Sequence, residues 1–155
     1  MTIKLRIVGI FYSVALEPLQ VKGGSVEAVL NAAVSNPGPG KKFHYTLNDS
    51  SISEYKSVSS FTAKYDNPFT SSVSEMDYPA GEYFLPENLI GNPYTVWQYY
   101  VLDENGKRVP LPSPTAPYTT DLGIKDGYSV IWRLVSILSG PTSLPPSKRR
   151  LMTGI

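Results

Sequence analysis

A chain of 155 residues is long enough for one domain with its own core. Its 14 basic and 13 acidic residues leave a net charge of only +1, which excludes a surface built mainly for nucleic acid. Cysteine is absent, so disulfides, thiol nucleophiles, iron–sulfur clusters and cysteine zinc sites are excluded together.

The first residues, MTIKLRIVGIFYSVAL, contain an apolar run that Lys4 and Arg6 interrupt, with no small-residue cleavage site after it. They read as a strand rather than a signal peptide, and Ile3 to Ile10 alternates with period two. No stretch approaches the roughly 18 apolar residues of a membrane span, so the expectation is a cytoplasmic protein with no membrane partner. Leu16, Leu19 and Val21 predict a second strand, bent or broken at Pro18 because proline cannot donate to a ladder. Ser25 is a good N-cap, Glu27 suits a first helical turn, and Val26, Val29, Leu30 and Ala33 recur at helical spacing. Asn36-Pro37-Gly38 stops that helix.

Lys41 to Asn48 alternates again. Residues 49–82 are rich in serine, threonine and asparagine. Within them Tyr55 to Tyr65 predicts one or two exposed strands, and Asp66 to Glu82 a long loop or irregular insertion. Asn105-Gly106 lies between two strand-like runs, a strong hairpin signal. A proline-rich connector leads to Gly127–Leu138, the most apolar strand, expected at the centre of the sheet. The sequence after it lacks periodicity. The expected organisation is one domain over 1–140 and a mobile tail over 141–155.

VALEPLQVKGGSVEAVLNAAV resembles the second strand and helix opening of ubiquitin-like domains. VWQYYVLDENGKRV followed by LGIKDGYSVIWRLV resembles the C-terminal half of transcobalamin-like β-grasp domains, through Trp97, Tyr99, Asn105, Gly106, Asp126, Gly127 and Trp132. The resemblance implies an α+β fold, a β-grasp-like mixed sheet packed on one helix; the stretch at about 49–82 has no counterpart in it and is expected as a β-rich insertion. It also implies a habit of binding, to small ligands in some members and as accessory modules in others, because fold alone does not give function.

The residues offer little chemistry. His44 is the single histidine and lies in an alternating run, so a surface strand position is expected for it; no G-x-S-x-G elbow accompanies it. Asp49, Glu54, Asp66, Glu75 and Asp77 lack calcium-loop spacing. VKGGSVEAV reads as a turn and cap rather than an anion cradle. The end Thr153-Gly154-Ile155 does not match the Gly-Gly of carrier proteins, and Lys148-Arg149-Arg150 reads as a solubilising end. No cofactor, no metal and no enzymatic activity are expected.

The aromatics carry the functional expectation. Along one strand Trp97, Tyr99 and Val101 share a face, opposite Val96, Gln98, Tyr100 and Leu102. On the last strand Tyr128, Val130, Trp132 and Leu134 share a face. One set must cover the helix, and the other is too apolar to be left to solvent. The 49–82 segment, with Phe61, Tyr65, Phe69 and Tyr78, is the candidate cover. The candidate binding residues are Trp97, Tyr99, Tyr100, Tyr128 and Trp132. The expected function is a non-enzymatic binding module that engages a partner protein or a second copy of itself through an aromatic sheet face. The alternative is a small-molecule binder with a pocket lined by Trp97, Tyr99 and Trp132.

Overall fold

The computed structural model describes residues 1–48, 57–87, 95–114 and 116–136. The chain runs β1 (Thr2–Val8), β2 (Ser13–Gln20), α1 (Val26–Ser35), β3 (Lys41–Leu47), β4 (Val58–Tyr65), β5 (Phe69–Thr70), β6 (Asp77–Tyr78), β7 (Gly81–Pro86), β8 (Thr95–Leu102) and β9 (Ser129–Ser136). It is an α+β protein, dominated by strands, with one short helix among the described residues.

The first sheet has the order β2-β1-β9-β8. β1 pairs antiparallel with β2 and parallel with β9, and β8 pairs antiparallel with β9. β9 is therefore interior, as its apolar run predicts. Pro18 lies on β2, an edge strand, beside a shift of register between Ile3 and Leu5, which is where a residue without an N–H does least harm. The helix begins where Ser25 Oγ accepts from the Ala28 N–H at 3.1 Å and ends with Asn36 N–H on the Ala32 carbonyl. Val26, Val29, Leu30 and Ala33 form its buried stripe.

The second sheet has the order β3-β4-β7, and β5 and β6 form a separate two-stranded ribbon. The strands of the second sheet at Lys41–Leu47 and Gly81–Pro86 reach beyond the expected 49–82 insertion on both sides. The stretch expected as a long loop holds the β5–β6 ribbon, fixed by stacking of Phe69 on Tyr78 at 5.0 Å and by an edge contact of Tyr65 with Phe69 at 4.7 Å. Residues 49–56 and the expected tail at 141–155 lie outside the described residues.

Both α1 and the second sheet cover the same face of the first sheet. Ile3, Leu5, Ile7, Leu16, Trp97, Val130 and Trp132 share one buried cluster with the helix stripe and with Phe43, Phe61 and Leu85 of the second sheet. This corrects the expectation that the helix and the 49–82 segment would cover opposite faces. The physical reason is continuity: α1 contacts β3, so the strand after the helix starts the second sheet on the helix side. Tyr65 ties the layers at the edge, since its hydroxyl accepts from Ala15 N–H at 3.0 Å and donates to Ala15 C=O at 2.9 Å. Those are groups that β2, as an edge strand, would otherwise leave unpaired.

Candidate interaction surfaces

Trp97 and Trp132 are 3 % and 2 % exposed, because Phe61 of β4 sits against both at 5.0 and 5.3 Å. Tyr99 leans on Trp132 at 5.4 Å and donates its hydroxyl to the Ala116 and Pro117 carbonyls at 2.8 and 3.2 Å. Burial pushes its pKa up to about 12. Tyr128 packs at the margin of the same core. Four of the five sequence-predicted residues are thus brought together on the inner face, where they fill the domain; the volume between Trp97 and Trp132 belongs to Phe61. Tyr100 is separated from them. It points to the opposite face of the sheet, beside Ile131.

The glycine pair before α1 serves the fold. The Gly24 carbonyl accepts from Leu122 N–H at 2.9 Å and Ile124 N–H at 3.2 Å, and a Cβ at Gly24 would lie 2.5 Å from Asp121 Oδ1. The Glu27 and Ala28 amides are already satisfied, by the Tyr118 carbonyl and Ser25 Oγ, so no anion cradle is open there. An open groove of about 420 Å³ alongside α1 is lined by polar groups including Gln20, Lys22, Glu27 and Asn31. His44 is exposed and stands opposite Thr62 on the outer side of the second sheet. Among the described residues no three His, Cys, Asp or Glu side chains are placed to hold a metal ion. No described helix is long and apolar enough to cross a membrane.

Two surfaces stand out instead. The first is the turn between β1 and β2, closed by Gly9 N–H on the Tyr12 carbonyl at 2.8 Å. Ile10, Phe11 and Tyr12 are 57, 64 and 53 % exposed. The turn is braced from below: Tyr12 meets Tyr83 edge-on at 5.4 Å, and a Cβ at Gly9 would lie 2.9 Å from the Leu85 side chain. Tyr83 in turn donates its hydroxyl to the Pro79 carbonyl at 2.7 Å. Sequence reasoning missed this tip because its apolar residues continue the alternation of β1; Gly9 inside that run was the available signal.

The second surface is the outer face of the first sheet. One rung crosses all four strands as Ala15, Arg6, Ile131 and Tyr100. The Arg108 and Arg133 guanidinium carbons lie 4.6 and 5.5 Å from the Tyr100 ring centre. Arg6 Nε is shut off from solvent and has no hydrogen-bond partner among the described residues.

A scan against protein-family models finds no match to this chain, and a search of curated proteins finds no similar sequence.

Proposed function

We propose that the chain is a non-enzymatic interaction module of β-grasp-like architecture, which engages a partner protein by seating the β1–β2 tip in an apolar pocket of that partner. The architecture is supported by the order β2-β1-β9-β8, the parallel β1–β9 pair and the helix that follows the second strand. The observation that carries the binding reading is the tip itself. Three consecutive large apolar side chains are more than half exposed, although the chain buries its tryptophans almost completely. Apolar clusters of that kind on a protein surface mark contact sites. The aromatic residues that meet the partner are thereby those of the tip, with Tyr83 behind them, rather than Trp97, Tyr99 and Trp132.

A protruding tip offers too little area for a stable tip-to-tip dimer, since a standard interface needs about 800 Å² from each partner. It suits an anchor that inserts into a pocket, where one or two aromatic side chains dominate the affinity. The test places a photo-crosslinking phenylalanine analogue at Phe11 in the full chain inside living cells. A discrete adduct with one other protein is expected, and it should disappear when Ile10 and Tyr12 are both changed to serine. The same analogue at the exposed His44 should give no such adduct. Absence of an adduct at position 11, an adduct that survives the double serine change, or adducts with copies of the chain alone overturn this reading.

A further inference from the structure

The outer face of the first sheet has no described helix or strand over it, and the charged side chains that the described β1, β9 and β8 place on it are of one sign. The outward positions of β1, β9 and β8 include Lys4, Arg6 and Arg133 and not one carboxylate. Glu17, on neighbouring β2, has its carboxylate engaged by the Ser72 N–H and hydroxyl. Arg6 stands between Ala15, fully buried, and Ile131, 5 % exposed. A guanidinium half-buried there, with its Nε–H lacking an acceptor, carries a desolvation cost that nothing among the described residues repays. Across the rung, roughly two strand spacings or about 10 Å away, Arg108 is held over the Tyr100 ring. A guanidinium held over a ring by cation–π attraction can still present N–H groups at its edge to a carboxylate.

We propose that this face docks an acidic segment of a partner protein, with carboxylates on Arg6 and Arg108. The site is separate from the β1–β2 tip and does not depend on it. Three alternatives fit less well. Residues 137–155 contain three basic and no acidic side chains, so they offer no side-chain carboxylate to this face. A single-stranded nucleic acid would need the Tyr100 ring for stacking, and arginine already occupies it. An anionic membrane surface would leave Arg6, recessed between strands, without its acceptor.

The probe is fluorescein-labelled deca-glutamate, titrated with the full chain at low salt and read by anisotropy. Saturable binding is expected, weakened at least about fivefold by Arg108→Gln and by Arg6→Lys, which keeps the charge but loses the planar fork. Lys64→Gln, at an exposed position on the outer side of the second sheet, should change it less than about twofold, the scale of a screened surface charge. Arg6→Met should weaken binding as Arg6→Lys does without lowering the thermal midpoint, a combination that a purely structural arginine would not give. No binding of the peptide overturns the proposal. So does an Arg108→Gln or Arg6→Lys chain that binds as the parent does, a loss at Lys64→Gln equal to that at Arg108→Gln, or a fall in midpoint for Arg6→Met with binding intact. Tighter binding of an oligothymidine or of phosphatidylserine vesicles in place of the peptide overturns it as well.

Discussion

At the scale of single residues, the charges of this domain divide into those the fold uses and those it tolerates. Lys41 belongs to the first group: its ammonium lies 3.8 Å from the centre of the Phe69 ring. Burial lowers its pKa there, and Glu17 offsets part of that effect. Glu87 belongs to the second. Its N–H donates to the Ser59 carbonyl at 2.8 Å, and its side chain is drawn in beside β3, where Asn48 Nδ2 donates to Oε2 at 3.2 Å. Burial raises the carboxyl pKa, and the Asn48 amide recovers only part of the shift. A carboxyl whose pKa is higher folded than unfolded holds its proton more tightly in the folded state. Its contribution to stability is therefore complete below the unfolded value near 4.5 and is lost as pH rises through the folded one. Glu87→Gln keeps an acceptor for Asn48 and removes the ionisation. It should raise the urea midpoint at pH near 7 and leave it almost unchanged below about pH 4, where the parent is protonated too. An equal gain at both pH values would show that packing, not charge, is responsible.

At the scale of elements, Phe61 is the coupling between the two sheets. It is fully buried on β4, stacks with Phe43 at 6.0 Å and meets both tryptophans of the first sheet. Phe61→Ala should cost about 3–5 kcal/mol by denaturant unfolding, the range for an aromatic removed from a core that cannot collapse. A loss under about 1 kcal/mol would mean that the sheets close the gap independently. Phe61 also marks the limit of what the sequence made legible. β1, α1, β8 and β9 follow from local periodicity, the Asn105-Gly106 turn from its φ-permissive glycine at +78°, and the division of Trp97 and Tyr99 from Tyr100 from strand alternation. Phe61 was legible as a cover for the aromatics. Which face it covers was not, because that depends on where α1 delivers β3, a tertiary decision with no local signature. Tyr100 and Arg6 share the cause: only the register across β1, β9 and β8 places residues so distant in sequence on one rung. Tyr12 stayed hidden for a different reason, since an apolar turn looks locally like more strand.

At the scale of the whole molecule, the first sheet is closed by the last of the described strands. Lys4 pairs with Ser129 and Val8 with Arg133, so the N-terminal strand finds its interior neighbour only once β9 exists. β9 also separates β1 from β8, and it carries Trp132, which touches Phe61, Tyr99 and Tyr118. Tyr118 in turn holds the helix start through its carbonyl on Glu27 N–H at 2.9 Å. A chain ending at Asp126 would keep the β1–β2 hairpin and α1 but lose the strand that unites the layers. Each remaining piece then has an open edge and an uncovered apolar face, and an isolated hairpin is at best marginal in water. The expectation is that residues 1–126 lack dispersed amide resonances and show no cooperative melt, and that the sheet is completed late in folding because its central pairing is between distant residues. A cooperative transition in the 1–126 fragment would instead identify the helix and second sheet as a folding unit in their own right. The role of β9 would then be reduced to docking onto a core already formed.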